Sequence, residues 1–341
     1  MGAHLLLAGT GSLHSLRPAW GAARPFRDCA RKPGRAATHP LTPEPGPAAL
    51  PLLFLPAGRP LLSLPVNYEV RVSDPPPANR AEASLKLQDK QNERDHRQLR
   101  IDKVGVRGLR FPIVIRDKAH NTQNTVATIS MFVDLPKEFK GTHMSRFIEV
   151  LNAHGSMIHV ENIPDILHAM QKKFHAETAH LEMQFPFFME KKAPVTGLTG
   201  VMDYTARFEA AACGPDIDLV LTVMVGVTTL CPCSKAISRH GAHNQRGLVT
   251  VRVRSREIVW IEDLIALVEA SASSELYSLL KRPDEKAVTE RAYENPVFVE
   301  DLVRNVALRL NALPEVTWYR VEAENFESIH NHNAYACIEK G

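Results

Sequence analysis

Val126-Ala127-Thr128-Ile129-Ser130-Met131-Phe132-Val133 divides into two sets. Val126, Thr128, Ser130 and Phe132 fall on one side; Ala127, Ile129, Met131 and Val133 fall on the other. A repeat of two marks a β-strand with one face on a core. The pattern predicts a strand over residues 121–134. Residues 104–117 alternate in the same way and are rich in β-branched side chains, so the segment between them predicts a hairpin. After Pro136 the period changes. Phe147, Ile148 and Leu151 predict a helix over 145–154. Pro164 opens another, with Ile166, Leu167, Met170 and Phe174 on one face. Strands return at 180–189 and 201–212.

The same order then repeats. Residues 218–229 and 246–256 read as strands. Helices follow at 260–270, around 275–293 and at 297–311, and strands close the chain at 315–324 and 334–339. No residue-level repeat accompanies this, so the duplication is one of architecture: strand-strand-helix-helix-strand-strand, twice. The expected fold class is α+β, antiparallel sheets with helices on one face. Such a sheet leaves edge strands, which are commonly buried against other subunits.

Composition limits the function classes. A chain of 341 residues with 44% hydrophobic and 23% charged residues is that of a globular protein of about two ordinary domains. Residues 1–65 hold seven of the 41 basic side chains, two of the 38 acidic ones and eleven of the 24 prolines. The rest of the chain is close to neutral, which argues against a nucleic-acid binder. Residues 1–85 read as a disordered or non-native N-terminal extension and 86–341 as the folded domain, with module one over about 101–212 and module two over about 216–341. No apolar run approaches ~20 residues, so no membrane-spanning helix is expected. Five cysteines form no disulfide framework, and Cys29, Cys213 and Cys337 stand alone. A reducing, cytoplasmic setting is the simplest expectation.

Chemistry concentrates in Cys231-Pro232-Cys233-Ser234-Lys235 and Gly241-Ala242-His243-Asn244-Gln245-Arg246. Thiolate and imidazole are preferred zinc ligands, and lysine and arginine suit phosphate. Structural zinc modules supply two close pairs of ligands, and no second cysteine pair exists here. A catalytic metal needs only about three protein ligands and an open position. From spacing alone a catalytic metal and a buried thiol pair with surface histidines are both open. Three further clusters are polar: Lys140-Gly141-Thr142-His143-Met144-Ser145-Arg146 before a helix, Lys281-Arg282-Pro283-Asp284-Glu285-Lys286 at a break between two helical stretches, and Glu324-Asn325-Phe326-Glu327-Ser328-Ile329-His330-Asn331-His332-Asn333 between the last two strands. A carboxylate in the last could accept from two donors on a guanine or pterin edge.

These motifs, with Arg97-Gln98-Leu99 before Val104-Gly105-Val106, resemble the type IB GTP cyclohydrolase I family from about Asp89 to the C-terminus. The resemblance implies a tunnelling fold of two such modules per subunit, assembled as a homotetramer with sites at subunit interfaces. It implies GTP as substrate, with 7,8-dihydroneopterin 3′-triphosphate and formate as products, at the first step of tetrahydrofolate synthesis. It also implies Cys231, His243, Glu285 and His330 as ligands of Zn2+, or of Mn2+ or another divalent cation, and Glu327 as the anchor of the guanine ring. Lys140, Arg146, Lys235 and Arg246 are candidates for the triphosphate, and His143 or His332 for proton transfer. No membrane and no nucleic-acid partner is implied. On chemistry alone Cys233 could replace Cys231, and Asp284 or Glu290 could replace Glu285. The competing readings are another tunnelling-fold activity on a pterin or deazapurine, and a non-enzymatic structural metal protein.

Overall fold

The structure is a computed structural model that describes residues 89–155 and 158–341. The expected extension over 1–85 lies outside the described residues. The first module runs β1 (Ile101–Asp117), β2 (Asn121–Leu135), α1 (Ser145–His154), α2 (Ile163–Phe174), β3 (Thr178–Lys192) and β4 (Thr199–Cys213). The second runs β5 (Asp216–Leu230), α3 (Pro232–Ile237), β6 (Asn244–Ser255), α4 (Ile261–Glu269), β7 (Ser274–Glu275), α5 (Arg282–Glu294), α6 (Val299–Asn311), β8 (Val316–Asn325) and β9 (Ala334–Lys340). The doubled order of two strands, helices and two strands expected of a tunnelling fold is present; the first module has two helices between its strand pairs, and the second has three (α4, α5 and α6) together with α3 and the two-residue β7.

Among the described residues the strands form one antiparallel sheet in the order β1-β2-β3-β4-β5-β6-β8-β9, with β7 pairing with β5. Sequential neighbours pair directly, as short hairpin links require. The β1–β2 turn is closed by Asn121 at φ 67, a left-handed conformation that Asn tolerates well, and Asp117 Oδ1 accepts the Ala119 and His120 amides. Gly214 at φ 56 turns β4 into β5.

The core lies on one face of the sheet. Ala127, Ile129, Met131 and Val133 of β2 are buried, as their alternation predicts. So are Leu181, Met183, Phe185 and Phe187 of β3, Val223, Val225 and Val227 of β5, and Val249, Val251 and Val253 of β6. These residues join Phe147 of α1, Ile166, Leu167 and Met170 of α2, Leu264 and Ile265 of α4, and Leu302 and Val306 of α6 in one cluster. α2 lies over β2–β4, α4 and α5 over β5, and α6 over β8 and β9. Gly155 at φ 68 ends α1, and His175, left-handed at φ 52, ends α2.

The stretch 275–293 is not one long helix. Glu275 closes β7 and the chain runs without helix to Lys281; α5 starts only at Arg282. The segment 281–286 is therefore a helix start, not a break between helices. Pro283 in the first turn and Asp284 at the third position are the physical signals.

Gly105 pairs with Phe132 between two register shifts in β1. A Cβ there would lie 1.9 Å from the Met131 carbonyl oxygen. Gly105→Ala is expected to destabilise the protein by about 1–3 kcal/mol, the cost of overpacking, as read by urea denaturation. His180 of β3 is pushed down to about 4 by burial and by Lys103, with Asp134 opposing. The fold holds its neutral form, so the unfolded chain binds the proton more tightly. Stability fully present above pH ~6.5 is lost as pH falls towards ~4. Discounted for its partial exposure, the loss is on the order of 1–2 kcal/mol. His180→Asn should flatten the stability curve across that window.

Candidate functional site

The site starts from the end of the β5–β6 ladder. Thr229 pairs with Gln245 and Leu230 with Asn244. One step further the Cys231 N–H donates to the His243 carbonyl at 3.1 Å. Cys231 then caps α3, and its Sγ accepts the Ser234 amide at 3.4 Å. The Ser234 hydroxyl donates to the Cys231 carbonyl at 3.1 Å and accepts the His243 amide at 3.2 Å. Three local constraints thus hold Cys231 and His243 side by side. Cys231 is half-buried, whereas Cys233 is exposed one residue inside the helix.

β8 brings the third group. Asn325 pairs with Gly247 and the Phe326 amide donates to the Arg246 carbonyl at 2.9 Å. The approach is close: a Cβ on Gly247 would lie 2.7 Å from Asn325 Oδ1. Two residues on, Glu327 Oε2 lies 3.9 Å from His243 Nδ1, with side-chain exposures of 11% and 14%. His243 Nδ1 is also 3.1 Å from Gln245 Oε1, and Gln245 Nε2 donates to Thr229 Oγ1 at 3.0 Å. The backbone thus sets Cys231 beside His243, and the Glu327 carboxylate approaches the His243 ring from a segment nearly a hundred residues further along the chain.

The remaining expected residues stand further out. His330 and His332 are exposed in the β8–β9 loop with their rings stacked at 5.1 Å. Glu285 is exposed in the first turn of α5. Asp284 is fully buried and spent: its carboxylate accepts the amides of Lys281, Val195 and Thr196 and the Thr196 hydroxyl. Burial alone would raise its pKa; these donors outweigh it and hold the carboxyl well below the usual range. Glu290 faces Lys286 at 2.6 Å. Of the three carboxylates open on chemistry, Glu285 is the one not tied down in this way.

The expected phosphate ligands are divided between the modules. Lys235 donates to the Tyr293 carbonyl and sits over its ring at 4.4 Å. Arg246 is exposed. Lys140 pairs with Glu93 at 2.7 Å and His143 Nε2 lies 3.1 Å from Asp89 Oδ2. Lys140 and then Lys90 push the Glu93 carboxyl down to about 2. Arg146 is half-buried in the first turn of α1. No hydrogen bond or ion pair among the described residues joins this loop to the Cys231–His243–Glu327 group. Nor do three His, Cys, Asp or Glu side chains among them close on one point able to hold an ion.

Ser234, Gln245, Thr229 and Asn325 carry the geometry and were not singled out by their chemistry. The signal available was strand period: Gln245 shares a face with His243. Cys213 is disulfide-bonded, contrary to the expectation that it stands alone, while Cys231, Cys233 and Cys337 are free thiols. Among the described residues no helix is long and apolar enough to cross a membrane.

Fold and site together define an α+β protein of two like modules, with Cys231 and His243 paired through their backbones at the end of the β5–β6 ladder and Glu327 brought to the His243 ring by β8. The type I GTP cyclohydrolase folE2 family (GCHY-1) matches residues 87–336. GTP cyclohydrolase FolE2 of Akkermansia muciniphila is 62% identical over 257 residues, covering 74% of this chain and 97% of that protein. The protein of the same name from Geotalea uraniireducens is 56% identical over 254 residues, covering 74% and 93%. The chain belongs to the type I GTP cyclohydrolase folE2 family. Among solved structures, uricase from Arthrobacter globiformis aligns with a TM-score of 0.42 at 11% identity, over 70% of this chain and 92% of that one.

Replacing Asp284 separates anchoring from chemistry. Asp284→Ala leaves three backbone amides without their acceptor, and a clear fall in melting temperature is expected. Glu285→Ala, one residue on but exposed, is expected to melt with the parent protein. A differential scanning calorimetry trace of both variants checks the contrast.

Proposed function

We infer that this protein is a GTP cyclohydrolase of the IB type, converting GTP and water to 7,8-dihydroneopterin 3′-triphosphate and formate at the entry to tetrahydrofolate synthesis. The observation that carries the reading is the Cys231–His243 backbone pairing, with Glu327 at the His243 ring, in a member of the family. The donor set at Cys231 and His243 fits a divalent cation, Zn2+ in the simplest case and Mn2+ or another hard ion with a carboxylate added. Cys231 and His243 would hold it, with Glu285 and His330 completing the shell. When bound, such a cation supplies the Lewis acidity that brings a water from a pKa of about 15.7 towards ~7.

The chain's own residues do the rest. Glu327 accepts from N1–H and the 2-amino group of guanine, a paired contact that sets C8 of the purine against the thiol–imidazole end of the site. Its low exposure strengthens that contact by excluding water. His143 or His332 moves protons at N7 and at the ribose, as an imidazole positioned for general acid–base catalysis can. Lys140, Arg146, Lys235 and Arg246 take the triphosphate, Lys140 exchanging Glu93 and Lys235 exchanging Tyr293 for phosphate oxygens.

A homotetramer with interfacial sites accounts for the division of these residues between modules. It also gives partners to β1 and β9, which stand at the two ends of the sheet order. The enzyme works in the cytoplasm on this reading.

The test is GTP turnover, followed by formate release and by neopterin fluorescence after oxidation. Cys231→Ala should fold, keep its circular dichroism spectrum and lose more than about 100-fold in activity, since even outer-shell changes at metal sites cost 10–100-fold. Normal formate release from that variant would overturn the assignment.

A further inference from the structure

We propose that Gln245 is a positioning residue: backed by the Thr229 hydroxyl, its side-chain carbonyl holds the proton of His243 on Nδ1 and leaves Nε2 as a bare lone pair. The role assigned to that lone pair rests on the cation reading above; the geometry of the relay does not.

Thr229 and Gln245 stand directly opposite each other in the β5–β6 ladder. Thr229 is fully buried and Gln245 is 8% exposed. A buried amide must find partners for both ends. Gln245 finds Thr229 Oγ1 at 3.0 Å and His243 Nδ1 at 3.1 Å. The hydroxyl can donate or accept, so it does not by itself fix which end of the amide faces which neighbour. Glu327 does. Its Oε2 lies 3.9 Å from the same Nδ1, and a carboxylate only accepts. A lone pair on Nδ1 would face that negative charge, whereas a proton there is attracted by it. The amide therefore turns its oxygen to His243 and its NH2 to Thr229.

His243 is then held at both levels. Its backbone N–H is given to Ser234 Oγ and its carbonyl takes the Cys231 amide. Its ring is pinned through Nδ1. Nε2 is left as the acceptor or ligand atom, with its tautomer set before anything binds. Ligand imidazoles generally give their other N–H to an outer partner in this way, but here the partner is a β6 residue placed by register, two positions after His243.

The full-length protein, freed of metal and labelled with 15N at histidine, tests the relay directly. At a pH where the ring is neutral, the His243 nitrogen shifts should report the proton on Nδ1. Gln245→Met, which leaves only the more distant Glu327 carboxylate to favour the Nδ1 proton, should raise the fraction of rings protonated on Nε2 above that of the parent and weaken Co2+ binding 10–100-fold, and Gln245→Glu, which still accepts, should restore the tautomer and most of the affinity. Thr229→Val provides a second perturbation should Gln245→Met fail to fold. A wild-type ring carrying its proton on Nε2 overturns the proposal, and so does a folded Gln245→Met that binds Co2+ as tightly as the parent. If the wild type forms no Co2+ complex with a thiolate charge-transfer band, the cation reading fails, and the nitrogen shifts alone still decide the relay.

Discussion

The pairing of β5 with β6 is the constraint on which the site depends. In an antiparallel ladder a slip of one residue turns every side chain to the opposite face. Val223, Val225 and Val227 on one strand and Val249, Val251 and Val253 on the other would leave the core, so burial locks the register. At ~1.5–3 kcal/mol for each buried valine, the six make a slipped register untenable. Because the register is locked, Thr229 must meet Gln245, and the next residues out must be Cys231 and His243. The ladder is fixed from below as well: the Leu230 amide donates to Ser273 Oγ, and the Leu230 carbonyl accepts from Val297. The chemistry hangs on the last rungs of a strand pair whose position is decided by valines.

A second constraint joins the modules. Asp284, at the start of α5 in module two, takes the amides of Val195 and Thr196 from the β3–β4 connection in module one. A buried carboxylate is costly unless its oxygens are satisfied. Four donors satisfy this one, and the result is a rigid joint rather than a reactive group. Its neighbour Glu285 shares the helix turn but none of the burial. Two adjacent acids thus divide into an anchor and an available side chain, a division set by environment and not by residue type.

This division shows where sequence reading reached its limit. The strands were legible because alternation and burial are the same fact on a pleated surface, and α1 and α2 because their apolar spacing is helical. The stretch 275–293 reads as one helix in the sequence, but its start pairs as β7 with β5 and the helix begins only at Arg282. The helix start at Pro283 and Asp284 was written in the residues. Cys231 and His243 were legible as a local motif. That Cys231 rather than Cys233 lies beside His243 was not, since it follows from which residue ends the ladder and which enters α3. Lys235, expected as a candidate phosphate ligand, is engaged with the Tyr293 carbonyl in α5. Long-range contacts of this kind leave no periodic trace.

The loop before α1 illustrates how charge can be held without being consumed. Lys140 and His143 face Glu93 and Asp89, while backbone bonds from Lys140 and Gly141 to Glu93 and Gln91 tie the loop to the segment 89–95. Glu93 and Lys140 are both more than 40% exposed, and a pair in that setting is worth only about 0–1 kcal/mol. The backbone bonds survive when a side chain changes partner. On the proposed function, a triphosphate, carrying several charges and several acceptor oxygens, would displace one carboxylate at little cost and need not alter the loop's path. In that reading the carboxylates would hold the cationic side chains extended and in place, which would reduce the ordering cost of binding a polyanion.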